Sequence, residues 1–573
     1  MTEDKPSLPK SLAPSELGFT RKKPVQWLAP KELVQTGMRV VLSGIFGAYA
    51  DKRELQAVMS ASEPGDFTQQ AEMWIDYVSD LGDGFDATYT VARALAAPTL
   101  DIGHPNQRGS VLVLGGDQVY PSATAEEYEN RFAGPYRAAL PYTDEPHPRM
   151  YALPGNHDWY DGLTAFLRVF CQDRWIGGWK TCQTRSYFAL QLPSRWWLWG
   201  IDVQFDTYID KQQLEFFEGL AVQPGDSVIL CSAKPSWVEA NEDKPDAYQT
   251  LDFFERKAIR AKQAEVRLSL TGDTHHYARY AAATGGAQKI TAGGGGAYVS
   301  ATHHLPKRLL LPPPASRDPG KTTPPAEYTR ETRYPSAGRS RAFRLTAISL
   351  LWRNPTFLVL GGALHALFAF VLASALRGPG TTFGEVMRGL GFEEVARIIP
   401  RSGVAVLLVL LVVGGLIGFT KAKATPALRV VGVVHAAVHL VLLAAVMASA
   451  SSLVDGLDGV LFDVAFMAVA FVAGAIGTGL VMAAYLAAAD MVKLNANELF
   501  AAQGHDGFKC FLRLHLRADG GLTVYPIGID RVGRRWRLRG GGAPGDPWLE
   551  PGKAPSAPRL IDGPIHIEPR RRP

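Results

Sequence analysis

Four long apolar runs stand out in the later part of the chain. They are Phe357–Leu376, Gly403–Phe419, Val430–Val454 and Val464–Ala489, of 20, 17, 25 and 26 residues, all without Asp, Glu, Lys or Arg. Runs of this kind predict helices that cross about 30 Å of hydrocarbon, because a helix satisfies its own backbone polar groups. The pattern over residues 38–305 is different. Short apolar, β-branched runs bounded by Gly, Asp or Pro occur at Val111–Leu114, Trp196–Val203, Val228–Cys231, Val266–Leu270 and Lys289–Thr291, with helical patterns between them. That alternation predicts an α/β domain.

Residues 306–345 hold eight prolines and nine Lys or Arg against three acids, and read as an extended basic linker between that domain and the helices at 346–490. After the helices, Lys509–Leu516 and Leu522–Ile529 alternate as two strands joined by Ala518-Asp519-Gly520-Gly521, which predicts a small β-rich domain over 491–540. The Gly-, Pro- and Arg-rich residues 541–573 read as a disordered tail. Residues 1–37 read as an extension without the apolar core of a secretory signal.

Charge refines this picture. The 573-residue chain has 60 Lys plus Arg against 55 Asp plus Glu, too small a surplus for nucleic-acid binding. Around the apolar runs, nine Lys or Arg fall on one side and four (Arg377, Arg388, Arg397, Arg401) on the other, so the α/β domain and both termini are expected to be cytoplasmic. The four cysteines, Cys171, Cys182, Cys231 and Cys510, have neither zinc spacing nor a disulfide pattern.

Chemistry gathers after the strands. Val111–Leu114 runs into Gly115-Gly116-Asp117, Tyr151-Ala152-Leu153 into Pro154-Gly155-Asn156-His157-Asp158, and Val266–Leu270 into Thr271-Gly272-Asp273-Thr274-His275-His276. Open α/β sheets collect their sites at such carboxyl ends. GD followed by GNHD in this order resembles the calcineurin-like metallophosphoesterases, over about Asp76 to His304. The resemblance implies an α/β/β/α sandwich and hydrolysis of a phosphate ester by hydroxide activated between two divalent cations. It gives Asp117 the bridging position, Asn156 an amide oxygen ligand, His157 a place at the leaving-group oxygen, and Asp158 the task of orienting that imidazole.

Departures from the family pattern matter equally. Where D-x-H belongs, Asp80 matches the Asp but Gly82 stands at the His position, and Asp83 follows as a candidate oxygen ligand. Asp273 replaces the first His of GHxH, His275 matches the second, and Ser232 follows the strand after which a lone His is expected. The ligand set read from the sequence is therefore Asp80, Asp83, Asp117, Asn156, Asp273 and His275. It is rich in oxygen, which favours Mn²⁺ or Mg²⁺ over Zn²⁺. His303 and His304, after the glycine loop 293–296, are candidates for a further nitrogen ligand or are plain surface residues. His276 reads as a neighbour of the site, and Tyr120, Trp159 and Tyr160 as entrance-lining or loop-packing aromatics.

Within the apolar runs, His435 and His439 share a helix face, and with His365 they could ligate haem or bond between helices. The expectation is a membrane-tethered phosphoesterase acting on a phosphate ester, with a lipid-linked ester among the candidates. A degenerate phosphoesterase fold regulating a channel or transport-type protein, and a haem-bearing redox protein, are the alternatives.

Overall fold

The structure, a computed structural model, describes residues 9–34, 63–203, 208–240, 244–316, 323–420 and 426–569. The described residues of Met1–Val25, Arg39–Ser340 and His505–Pro573 form one compact unit, and those of Gln26–Met38 and Arg341–Gly504 a second.

The first unit contains β1 Met73–Val78, β2 Val111–Leu114, β3 Arg149–Ala152, β4 Phe188–Gln191, β5 Trp196–Ile201, β6 Ser227–Ser232, β7 Glu265–Thr271, β8 Tyr277–Ala282 and β9 Gln288–Ala292. The apolar runs read from the sequence are β2, β5, β6, β7 and β9, with ends shifted by two residues at most. β1, β2 and β3 pair in parallel, as do β5, β6, β7 and β9. Their side chains divide by the period of two that a strand imposes. Leu112 and Leu114 enter a cluster with Tyr89 and Phe132. Val111 and Val113 face Leu198, Ile229, Leu268 and Leu270 in a second. Trp199 and Leu230 meet Phe217 and Phe254 in a third. Two sheets packed face to face, each covered outside by helices, give the predicted α/β/β/α sandwich.

Segments outside the predicted domain complete both sheets. The linker read over 306–345 instead carries β10 Arg308–Leu311 and β11 Ala326–Tyr334. β11 pairs antiparallel with both β8 and β10. Proline and charge alone suggested an extended chain there. The strands hold because Leu309, Leu311 and Tyr334 are buried against the core.

The C-terminal strands fall where the sequence puts them, at β12 Lys509–Leu516 and β13 Leu522–Ile529. They are not isolated: β12 pairs antiparallel with β1, Leu512 opposite Tyr77 and Leu514 opposite Ile75. Residues 541–569 of the expected disordered tail also carry strands, Leu549–Lys553, Arg559–Leu560 and Ile565–Ile567. Trp548 and Leu549 anchor the first of these in one core cluster, and Ile565 and Ile567 the last in another. Composition averaged over the tail hides these few apolar anchors.

The second unit contains α1 Pro355–Leu376, α2 Gly403–Phe419, α3 Pro426–Leu453 and α4 Gly459–Met491. Three helices, Pro355–Leu376, Leu428–Leu453 and Gly459–Met491, are long and apolar enough to cross a membrane. Phe392–Arg401 and α2 form a pair bent by 105°, which makes a fourth span when taken together. Small residues let these helices approach closely: Gly361 of α1 abuts Thr478 of α4, and Gly477 of α4 abuts Leu442 of α3. Val430, Val433, Val441, Val464 and Val472 are exposed on the outer surface of the bundle, as suits an apolar solvent.

Candidate active site

The loops that leave β1, β2, β3 and β7 converge at the carboxyl ends of these strands. Asp80, Asp117 and Asp273 begin or turn these loops with φ of 60°, 51° and 63°. Left-handed backbone at a non-glycine residue is sparsely populated and costs roughly 1–3 kcal/mol, so three aspartates held there mark a site whose surroundings dictate the geometry. The β1 and β2 loops lock together through Asp80 N–H to Gly116 O at 3.0 Å and Leu81 N–H to Asp117 O at 2.9 Å. Glycine is required at two close approaches. A Cβ at Gly155 would land on the Asp117 carboxylate, and one at Gly272 on Ser79 Oγ and the Asp80 carboxylate.

At the centre lies the Tyr120 hydroxyl. It is 2.9 Å from Asp80 Oδ1, 3.3 Å from Asp117 Oδ2 and 3.1 Å from His275 Nε2. Ser79 Oγ donates to Asp80 Oδ2 at 2.7 Å, Asp273 N–H donates to the same oxygen at 3.1 Å, and His157 N–H donates to Asp117 Oδ1 at 2.9 Å. Burial, then the neighbouring Asp117, pushes the Asp80 carboxyl well above the usual carboxylate range. Burial pushes Asp117 up to about 7, and burial holds His275 well below the ordinary histidine value. Clustered, buried carboxylates of this kind are costly when charged, and a bound cation reverses that balance.

The donor set fits metal. Asn156 Oδ1 and His275 Nδ1 are buried without a hydrogen-bond partner among the described residues. The Asn156 amide is oriented by donating Nδ2–H to Tyr160 Oη at 3.2 Å, which leaves its oxygen for another partner. Asp80, Asp117 and His275 converge on the Tyr120 hydroxyl, the Asp273 amide meets the Asp80 carboxylate, and Asn156 precedes the His157 amide that meets Asp117. Tyr120, read from the sequence only as an aromatic lining residue, adds a phenolic oxygen to the set.

Asp83 is held elsewhere. Its oxygens accept Val25 N–H at 2.8 Å and Tyr298 N–H at 3.3 Å, so it ties loops together and does not supply the missing His. The corresponding expectation is that Asp83→Asn keeps metal content near wild type, whereas Asp273→Ala lowers it. Metal analysis of the two purified variants decides, and the opposite ranking would return Asp83 to the ligand set.

Asp158 also differs from its expected role. It accepts Gly155 N–H at 2.8 Å and the Tyr128 hydroxyl at 2.5 Å, closing the turn that carries Asn156 and His157. The His157 ring is oriented instead by the Pro121 carbonyl, 2.8 Å from Nδ1. A carbonyl only accepts, so Nδ1 carries a proton and Nε2 is the nitrogen that can exchange one with a ligand. The ring packs beside Tyr120 and Tyr160, with centroids 4.4 and 4.9 Å away. Trp159 is fixed by its indole N–H on Asp202 Oδ1 at 3.1 Å. His276 is buried, which pushes its imidazole down to about 4.

His303 stands against Ser340 Oγ at 2.8 Å and packs at a tilt on His304, with centroids 4.0 Å apart and 47° between planes. In the second unit, His435 lies flat on Tyr485, with centroids 3.7 Å apart and 7° between planes.

One residue has no counterpart in the sequence reading. Lys509, at the start of β12, is fully buried and its ammonium donates to the Ala297 carbonyl. Ala297 N–H in turn donates to the Asp80 carbonyl at 2.9 Å, and Gly295 N–H to Ser79 O at 2.8 Å. The C-terminal strand therefore clamps the glycine loop against the backbone of Asp80.

Residues 73–277 match the family model described as calcineurin-like phosphoesterase. This segment resembles the calcineurin-like phosphoesterases. The solved structure of PhoD is similar to the chain with 13% identity over 41% of this chain and 59% of that one, at a TM-score of 0.25. No match is found among curated proteins. Within residues 73–277 the strand order, the GD loop and the GNHD turn occupy the positions just described, and the family's general use of divalent metal agrees with the donor set.

Proposed function

We propose that the chain is a membrane-tethered, metal-dependent phosphoesterase that hydrolyses a phosphomonoester, phosphodiester or pyrophosphate. The observation that carries this reading is the convergence of Asp80, Asp117 and His275 on one point, together with a buried Asn156 oxygen that has no hydrogen-bond partner among the described residues. Asp80, Asp117, Asn156, Asp273, His275 and Tyr120 would hold the metal. When bound, two divalent cations, Mn²⁺ or Mg²⁺ in preference to Zn²⁺ for so oxygen-rich a set, would polarise the phosphoryl group and acidify water for attack.

The remaining work falls to this chain's residues. Asp158 and Tyr128 keep the Gly155–His157 turn closed, so the Asn156 oxygen and the His157 ring point from fixed backbone. His157, with Nδ1 pinned on Pro121 O, offers a proton at Nε2 to the departing oxygen. The apolar helices would hold the domain at a bilayer, and the excess of Lys and Arg on one side supports a cytoplasmic domain and termini. A phosphate ester at the membrane surface, lipid-linked or free, suits that placement.

Phosphate release by the purified full-length protein, measured on all three ester classes after chelation and return of Mn²⁺, Mg²⁺ or Zn²⁺, tests the reading. Absence of both metal binding and metal-restored release would overturn it. A second expectation separates metal binding from chemistry. His157→Gln keeps its metal but loses about 10²–10⁴ in kcat on an ester with a poor leaving group. The loss shrinks with nitrophenolate, which leaves without protonation. Equal losses on both substrates would remove the acid role.

A further inference from the structure

The helices of the second unit enclose a cavity of about 320 Å³, at the small end of the range for ligand sites. Its lining is aliphatic and aromatic except for His365 on α1, His439 on α3 and Thr478 on α4. Both histidines are more than nine-tenths buried, at 6% and 9% exposed. The Nε2 atom of each is buried and has no hydrogen-bond partner among the described residues.

The state of His365 follows from its other nitrogen. Nδ1 lies 2.8 Å from the carbonyl of Gly361, one helical turn back. As a neutral ring it therefore carries its proton on Nδ1 and presents a bare lone pair at Nε2. Its seat is shaped by a small residue, because a Cβ at Gly474 of α4 would strike the imidazole. A buried acceptor left unmade is costly, the more so where neighbouring helices and lipid offer no water. Among the described residues, the lining contains no Lys or Arg that could neutralise an acid.

We propose that this cavity binds a neutral, bilayer-soluble molecule with an apolar body and a hydroxyl head, the class of long-chain alcohols, whose hydroxyl donates to Nε2 of His365. The apolar lining selects the body, the lone pair selects a donor, and the missing cation excludes fatty acids and phosphorylated lipids. Haem is the competing occupant, since two imidazoles on separate helices suit its iron. Its carboxylates, however, would find no cation in this lining. The site is independent of the phosphoesterase chemistry.

The test uses the full-length protein in nanodiscs with a diazirine-bearing long-chain primary alcohol and its methyl ether as paired photoprobes. The expected result is labelling of the peptides of α1, α2, α3 and α4 that line the cavity, competed by unlabelled alcohol. The ether, which cannot donate, should bind about 3–10-fold more weakly, the worth of one hydrogen bond. His365→Leu should erase the difference between the two probes. His365→Gln, which restores an acceptor, should retain it, and so separates a lost bond from a lost fold. Equal labelling by alcohol and ether in the wild type, or labelling confined to other surfaces, would overturn the proposal. So would a Soret band in the purified protein that disappears in His365→Leu, because haem would then be the occupant.

Discussion

Asp117→Asn is expected to lower hydrolysis by roughly 10²–10³, and metal occupancy with it, the scale on which loss of one preorganised electrostatic group acts. The reason lies in how the carboxylate is spent. Oδ1 accepts the His157 amide at 2.9 Å, and Oδ2 faces the Tyr120 hydroxyl at 3.3 Å. Asparagine keeps the shape, but it removes the charge and turns an N–H₂ group toward one of these donors. The left-handed backbone at this position favours Asn and Asp alike, so the substitution spares the turn. Phosphate release and metal analysis on the same preparation check the result. A variant with full metal and full rate would show that the GD loop is not the centre of the chemistry.

Arg513→Met is expected to cost about 3–5 kcal/mol of stability, the usual penalty for removing one partner of a buried ion pair. Arg513 Nε donates to Asp76 Oδ1 at 2.9 Å and Nη2 to Oδ2 at 3.3 Å. Nη1 donates to Asn106 Oδ1 at 2.8 Å, and Asp76 also accepts Gly109 N–H at 2.9 Å. The side chains of the pair are 0% and 3% exposed. Burial pushes the Asp76 carboxyl up, and the guanidinium draws it back toward the charged form. With the arginine gone, Asp76 stays buried without its counter-charge. Replacing both residues together, Asp76→Leu with Arg513→Met, should recover much of the loss. Denaturant unfolding of the full-length protein, followed by loss of hydrolysis, gives the comparison. Equal stability of the single variant and the wild type would refute the role given to this pair.

The local parts of this molecule were legible in the sequence, and the long-range parts were not. Val111–Leu114 and Val266–Leu270 are buried on both faces, so their apolar runs announce them as strands, and the GD and GNHD loops follow at fixed offsets. The role of Asp158 was misjudged because a motif gives neighbours in sequence. The His157 ring bonds instead to the Pro121 carbonyl, on another loop. Asp83 was read as a ligand since a flexible glycine precedes it, but two backbone amides claim its oxygens first. The pairing of β12 with β1 left no trace in either strand, because register between distant strands depends on which apolar faces meet. Lys509 was invisible for the same reason: nothing near it in the chain names Ala297 as its partner.

The helices of the second unit are inserted between two stretches of chain that share one sheet, since β1 precedes them and β12, its hydrogen-bonded neighbour, follows. This fixes a parity. Strands that pair edge to edge must lie in the same compartment, so the intervening chain crosses a bilayer an even number of times or not at all. Three crossings, the number of single helices long and apolar enough, are therefore forbidden; the bent pair ending at Phe419 must count as the fourth, or one of the three must stay on the side where it began. In a bilayer the sheet would act as a check on insertion: a chain that miscounted its crossings would strand β12 across the membrane from β1, with Asp76 buried beside no arginine.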